Sequence, residues 1–480
     1  MLPANATYKH VSTLVNMLLI AAMTAILIAT LLQGADGVRD SFAVEAVFVA
    51  IGLYAVLEIL CDRLPLSLNK MHWYFIFFFM SIAPLTHYLT GYAPGRYPLS
   101  DNVIFGGQLV VLLWCVAYSM ARRVKGGHRA ERREKEPTVI STPRWMAPAV
   151  LAISLAALAY MAIRLGGLSS LLIRSEAWFD VEGPLDTVLG YLLRAIPILG
   201  CAILFRGKRY SGATYSWLYI IALVPIIILL NYPVSLSRYW IGTVYIGLFV
   251  AMIPQNWLGI RRFDLAIILG ICIIFPLMYD LKYFDVGTFF ETRIASFFGA
   301  YEEAFNSVDF DAFTMLCRIM IYAEDYGFSF GRQLVSVVFF FVPRAILPIK
   351  GQPTGSMVAT AQGSSYTNLS APAMGEGYID FGLIGVVLYA AVFAIAFRSL
   401  DRAFLGGGHC ASANTYRFLV SAFMLGFTVF LMRGALQPVF LRIMGFFLFL
   451  IFTYVCQRLV SRSMTSARPR EALRGEAHER

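Results

Sequence analysis

The chain has 480 residues, of which 59% are hydrophobic and only 14% charged, with a formal net charge of +10 and a mean hydropathy of +0.68. A soluble domain is about 45–50% apolar and about 25% charged, so this composition excludes an ordinary soluble enzyme or binding module. Apolar runs of the roughly 20 residues that cross a bilayer as a helix recur from end to end. They are continuous rather than alternating, so helices rather than a closed barrel are expected to satisfy the backbone in lipid.

The first run, Val11 to Leu32, follows Lys9 but is too long for the apolar region of a signal peptide, and reads as the first span. Further spans are expected near 42–61, 71–90, 102–121, 145–164, 186–205, 214–231, 239–255, 264–280, 380–398, 416–431 and 438–457. The expected fold class is therefore an all-α polytopic membrane protein with about 12 transmembrane helices. Residues 1–121 carry the first four spans, 122–144 form a basic loop, and 145–280 carry spans five to nine. Residues 281–380 form one long outer loop, 381–457 the last three spans, and 458–480 a basic tail.

Charge sets the orientation. One set of connections holds Arg122, Arg123, Lys125, Arg129, Arg132, Arg133 and Lys135, then Arg206, Lys208 and Arg209, then Arg261 and Arg262, and the tail continues it. Lys and Arg collect on the cytoplasmic side, so these loops and both termini face inward. Because the basic residues flank spans, the positive balance reads as topology and anionic-lipid contact rather than nucleic-acid binding. The segment 281–380 holds ten acidic and six basic residues, with apolar stretches at Phe313–Tyr322 and Leu334–Phe341. It should fold back onto the membrane surface rather than dangle. Of the seven cysteines only Cys317 is expected to face outward, so no outer disulfide framework is expected.

The outer face should be poor in positive charge, yet arginines gather there. Arg174 follows the fifth span, Arg194 lies inside the sixth, and Arg238 sits in the turn NYPVSLSR. Arg293 and Arg344 lie in the long loop, Arg433 in the turn LMRGALQ, and Arg442 at the start of the last span. An arginine inside a span costs about 2.5–3.5 kcal/mol on insertion scales, which needs a return. Unlike Lys, Arg offers a planar fork that grips phosphate through two hydrogen bonds. The set points to an anionic ligand at the outer surface, against the plainer reading of each residue as a snorkelling or ion-paired charge.

Residues 369–382, LSAPAMGEGYIDFG, end the long loop. Gly375, Gly377 and Gly382 are expected to turn the backbone beside Glu376 and Asp380, which makes these carboxylates candidate general bases; the competing reading is helix capping by Asp380 and a plain loop Glu376. Asp309-Phe310-Asp311 has the form of a metal-holding Asp-x-Asp, but no His stands nearby, and no metal or cofactor is expected. A phosphate-binding glycine loop, HExxH and zinc-spaced Cys/His sets are missing from the sequence. His87 is expected in a surface-satisfied or stacking role.

Four pieces together, IRLGGLSSLLIRSEA at 163–177, NYPVSLSRYWIGT at 231–243, FVPRAILPIKGQPTG at 341–355 and LSAPAMGEGYIDFG, resemble the Wzy-type oligosaccharide repeat-unit polymerases of bacterial O-antigen and capsule synthesis. The resemblance implies a GT-C-like glycosyltransferase of the bacterial inner membrane with its active site on the periplasmic side. Its substrates would be undecaprenyl-pyrophosphate-linked oligosaccharides, with the lipid pyrophosphate as leaving group. It also implies contact with membrane lipid and allows a chain-length regulator as partner, with no nucleic acid. Family members use arginines in two outer loops, and the matching positions are Arg238 and Arg344. The related ligases carry an essential His in the long outer loop, and residues 281–380 contain none; a ligase or a flippase of the same lipid-linked glycan are the competing readings.

The orientation can be tested directly. Reporter fusions after Gly126, Ser211 and Ser412 are expected to report cytoplasm, and fusions within 300–310 the outer compartment. A cytoplasmic signal from the long loop would overturn the assignment of the arginine-bearing face.

Overall fold

The structure, a computed structural model, describes residues 23, 41–124, 139–173, 184–253, 255–271, 305–306, 308–343, 345–364, 369–405 and 415–475. Among these the regular structure is all helical, with no strand. The helices are α1 (Phe42–Cys61), α2 (Leu68–Phe77), α3 (Ala83–Thr90), α4 (Asp101–Arg123), α5 (Met146–Arg164), α6 (Pro184–Tyr210), α7 (Trp217–Leu230) and α8 (Arg238–Met252). They continue with α9 (Gln255–Leu269), α10 (Ala312–Tyr326), α11 (Arg332–Val338), α12 (Thr354–Ala361), α13 (Ala373–Leu405), α14 (Tyr416–Arg433) and α15 (Leu436–Gly475).

Seven of the described helices, α1, α4, α5, α6, α13, α14 and α15, are long and apolar enough to cross a membrane. The chain is an all-helical, multi-pass membrane protein. The expected spans 214–231 and 239–255 are the shorter apolar helices α7 and α8, of 14 and 15 residues. The expected span 71–90 is one rod in three pieces, α2, a π-helical turn at Phe78–Ile82, and α3. Apart from Met23, the expected first span lies outside the described residues, as does the second half of the ninth.

Local chemistry sets the helix ends. Asp101 opens α4 and Arg122 and Arg123 close it, the charge order that the helix dipole favours. Thr415 caps α14 by accepting from the Phe418 amide at 3.3 Å. Gly91, at φ 69°, ends α3 in the left-handed conformation that glycine adopts without strain.

Two helix pairs organise the bundle. Helices α4 and α13 run parallel, because Trp114 meets Phe393, Tyr118 meets Phe397, and Arg122 pairs with Asp401, each step four residues on. Helices α8 and α14 run antiparallel, with Tyr239 stacked on Phe430 and Gly426 against the Thr243 backbone, where a Cβ would stand 2.5 Å from its carbonyl oxygen. Small residues at such crossings let helix backbones approach closely.

The described part of the segment expected as the long outer loop packs against the other helices. Its apolar stretch around Phe313–Tyr322 lies in α10, where Cys317 and Phe313 fill the space left by Gly107 of α4, and Phe313 meets Phe48 edge-on. The stretch expected at Leu334–Phe341 is helical as far as Val338, in α11.

Residues 373–380 correct the reading of a glycine-rich loop. They form the first turns of α13, and the break falls at Phe381 and Gly382. Gly382 alone takes the turn, at φ +60°. The chain then doubles back so that Gly377 lies against the backbone of Gly385. Gly375 and Gly377 therefore serve close packing, not turning. A Cβ on Gly385 would overlap the Gly377 carbonyl, whereas one on Gly190 meets nothing within 4 Å. Gly385→Ala is expected to lower the thermal midpoint of the purified protein, with overpacking costing about 1–3 kcal/mol, while Gly190→Ala leaves it unchanged.

Candidate functional site

Arg238 is the first residue of α8 and Arg433 the last of α14. Because these helices are antiparallel, both guanidinium groups come to the same end of the bundle. There they meet the turn before α10. Arg238 is ion-paired with Asp309, and Arg433 is ion-paired with Asp311 at 2.8 Å. Arg433 Nε also donates to the Asp309 carbonyl at 2.8 Å. The Tyr239 hydroxyl donates to that same carbonyl at 2.6 Å, and the Arg433 guanidinium lies over the Tyr239 ring, 4.7 Å from its centroid.

The Asp-Phe-Asp pattern is thus part of an arginine cluster. Phe310 is 1% exposed and stacks on Phe79 of the π-helical turn and on Phe305, with centroids 4.7 and 4.5 Å apart. With the central side chain locked in the apolar core, the turn holds the two flanking aspartates at Arg238 and Arg433. Burial pushes the Asp311 carboxyl above its usual range, and Arg433 and a hydrogen bond from Ser370 at 2.7 Å pull it partly back. Asp309 is the more accessible of the two, its side chain 20% exposed against 8% for Asp311. Among the described residues no group of three or more His, Cys, Asp or Glu could hold a metal ion.

The segment 369–376 wraps the same arginine. The Ala371 amide donates to the Arg433 carbonyl at 3.2 Å. Glu376, 2% exposed, accepts from the Thr354 hydroxyl at 2.5 Å and from the Leu436 amide at 2.9 Å. It therefore caps the start of α15 and ties α12 to it. Asp380 is fully buried and accepts from the Ser329 hydroxyl (2.5 Å), the Tyr389 hydroxyl (2.7 Å) and the amides of Gln333 and Leu334 (both 3.3 Å). These donors occupy the four acceptor positions a carboxylate offers. Two of them are the second and third amides of α11, which an N-cap normally satisfies, and the residue at its own N-cap, Gly331, has no side chain to do so.

Of the residues singled out in the sequence, Arg238, Arg433 and Glu376 belong to one connected network, and Asp380 stands one turn further along α13. Arg174, Arg293 and Arg344 lie outside the described residues. Arg194 donates to the Leu230 carbonyl at 2.6 Å, closing the end of α7. Arg442 donates to the Tyr191 hydroxyl at 2.9 Å and lies over the Phe430 ring. Arg318, which no motif marked, is buried and binds Gln362 and Ser364 at 2.6 and 3.0 Å. His87 is buried against the Phe305 carbonyl at 2.7 Å rather than at the surface.

Asp309 and Asp311 were legible in the sequence only as a metal-holding pattern, not as partners of the arginines. The signal that could have found them was acidic side chains flanking an aromatic residue, in a loop expected to meet arginines of the same face. No protein-family model, curated protein or solved structure matches this chain.

Asp380→Ala leaves four donors without a partner, at about 1–3 kcal/mol for each one that stays buried. It is expected to lower the thermal midpoint markedly and to open residues 329–338 to limited proteolysis, while Asp380→Asn, which keeps one acceptor oxygen, falls between it and wild type.

Proposed function

We propose that this chain is a membrane glycosyltransferase that polymerises lipid-pyrophosphate-linked oligosaccharide repeat units, with the cluster around Arg238 and Arg433 receiving the pyrophosphate. The observation that carries this reading is the convergence of two guanidinium groups, from helices far apart in the chain, on one partly exposed site. Undecaprenyl-pyrophosphate-linked repeat units are the substrates on this reading. The reading includes a GT-C-like arrangement of about twelve spans in a bacterial inner membrane, with the cluster on the periplasmic side. The resemblance of the four sequence pieces to the Wzy-type polymerases supports the substrate class.

In the proposed reaction the acceptor sugar's hydroxyl oxygen forms a bond to the donor's anomeric carbon. The bond from that carbon to the pyrophosphate oxygen breaks, and the lipid pyrophosphate leaves with the electron pair. Guanidinium groups already oriented by protein carboxylates stabilise the charge that develops on the leaving oxygen. The hydroxyl proton passes to a carboxylate. Asp309 suits that role better than Glu376 or Asp380, because it is more exposed and lies beside Arg238, whereas the other two are buried as helix caps. Arg344, in the matching family position, is expected to complete the phosphate contacts.

Lys keeps the charge of Arg but not the fork, so Arg238→Lys, Arg433→Lys and Arg344→Lys separate charge from geometry. Arg238→Lys and Arg344→Lys are expected to insert and accumulate normally yet lose at least about tenfold in polymerisation, as loss of one charge-assisted hydrogen bond of about 1.5–3 kcal/mol implies. Arg433→Lys, which also gives up bonds to Asp311 and the Asp309 carbonyl, is expected to lower accumulation as well. Lipopolysaccharide or capsule banding in the producing strain reads this as single repeat units replacing the ladder. Asp309→Asn should lower turnover more than substrate affinity, and Glu376→Gln, which still accepts from the Leu436 amide, should stay near wild type. Wild-type chain lengths from all three Lys variants would sink the pyrophosphate assignment. Complete absence of the repeat unit in a strain lacking the protein would indicate a ligase or a flippase instead.

A further inference from the structure

The opposite end of the bundle carries a second polar site. Where α1 and α4 end and α2 begins, they border a cavity of about 430 Å³. Asp401 marks the same end of α13, since it binds Arg122 and accepts from the Leu68 amide at 2.7 Å. By the inside-positive rule this is the cytoplasmic end, a full helix length from the cluster proposed to bind pyrophosphate.

What the lining can still bind follows from what is already used. Glu58 pairs with Arg123 and accepts from the Ser119 hydroxyl at 3.0 Å. Asp62 accepts from the Leu64 amide, the Ser67 hydroxyl and the Asn69 amide group at 2.8–3.0 Å. The acidic side chains of the wall are therefore engaged. On other lining residues, Trp73 Nε1, the Tyr118 hydroxyl and Arg122 Nη1 are buried with no hydrogen-bond partner among the described residues. Arg63 also lines the cavity, is exposed, and has no ion pair among the described residues. Against these donors stands one unpartnered acceptor in the lining, Asn69 Oδ1.

The remaining capacity is thus cationic and donor-rich. Trp73 and Tyr118 meet edge-to-face, 5.7 Å between ring centroids, and Tyr118 stacks on His72 at 3.7 Å, so indole and phenol are held rigidly. A rigid set of N–H and O–H donors beside two guanidinium groups matches a compact anion with several oxygens, and basic sites between helices at this membrane surface suit phosphorylated headgroups. We propose that this cavity binds a phosphate ester, either as the headgroup of a cytoplasmic-leaflet phospholipid or as a soluble molecule. The site is independent of the glycosyl-transfer reading, since none of its residues belongs to the outer cluster.

The test uses the full-length protein in detergent, with Arg63→Gln, which removes the guanidinium charge, Tyr118→Phe, which removes one hydroxyl and keeps the ring, and Trp73→Phe, which removes the indole N–H along with part of the ring. Native mass spectrometry would follow binding of dioleoyl-phosphatidylglycerol against dioleoylglycerol, which lacks the phosphate, and calorimetry would follow glycerol 3-phosphate. Preferential retention of phosphatidylglycerol, weakened about tenfold in each variant as for one lost charge-assisted hydrogen bond, supports the lipid source. Binding of glycerol 3-phosphate with the same sensitivity, and no lipid preference, supports the soluble source. Equal binding by wild type and correctly folded variants, or no preference for phosphate in either assay, overturns the proposal. Should Trp73→Phe fail to fold, Arg63→Gln, at an exposed position, decides the question alone.

Discussion

A buried guanidinium group at the end of a membrane helix is stabilised by an opposite charge close by, and much of one end of this protein is arranged around supplying it to Arg433. Removing one partner from a buried ion pair is far costlier than never having built it. Arg433 is supplied by a segment distant in sequence, through Asp311, the Asp309 carbonyl and the Ser370–Ala371 strip. A connection of about a hundred residues is thereby fastened to the ends of α8 and α14. Glu376 and Asp380 fasten it twice more, at the starts of α15 and α11. The same requirement explains why Asp311 and Ser370 are buried beside Arg433 while apolar Phe310 and Phe313 wedge between helices.

The parallel pair α4 and α13 links the two ends of the molecule. Its seam is aromatic along the middle, from Trp114 and Phe393 to Tyr118 and Phe397, and ionic at the end, where Arg122 meets Asp401. At the other end α13 begins with the doubled-back turns that carry Glu376 and Asp380. The part of α13 that follows the break at Phe381 and Gly382 thus runs along α4 from the doubled-back turns to the Arg122–Asp401 pair.

Continuous apolar runs bounded by charge were legible as helices because composition alone decides the solvent of such a segment. The structure keeps seven of them as long apolar helices and shortens 214–231 and 239–255, where Ser216 caps the start of α7 and α8 ends at Met252, two residues before Pro254. The glycine-rich stretch at 375–382 misled local reasoning, since glycine propensity favours a turn while tertiary packing against Gly385 selects a helix. Capping by Asp380 was among the readings open from sequence, but its target, a helix some 45 residues earlier, was not. The pairing of Asp309 and Asp311 with Arg238 and Arg433 joins residues 71 and 122 positions apart, and no local pattern encodes such a separation. What the sequence did carry was a set of arginines on a face expected to be poor in positive charge, and an arginine is a statement about geometry and not only about charge.

That geometry bears on how the outer cluster can work. A carboxylate and a phosphate offer a guanidinium group the same kind of charged oxygen acceptor, and Asp309 and Asp311 each occupy one nitrogen of Arg238 and Arg433 in that way. The two pairs are not equivalent. Asp311 is buried, bonded to Ser370, and its removal would strand a buried charge; Asp309 is more exposed and belongs to a pair that water already reaches. An arriving polyanion can therefore compete for Arg238 at modest desolvation cost while Arg433 remains anchored to Asp311. On the proposed reading, Arg238 is the exchangeable contact and Arg433 the fixed one, and Asp309, released from Arg238, would stand where it could accept the acceptor hydroxyl's proton.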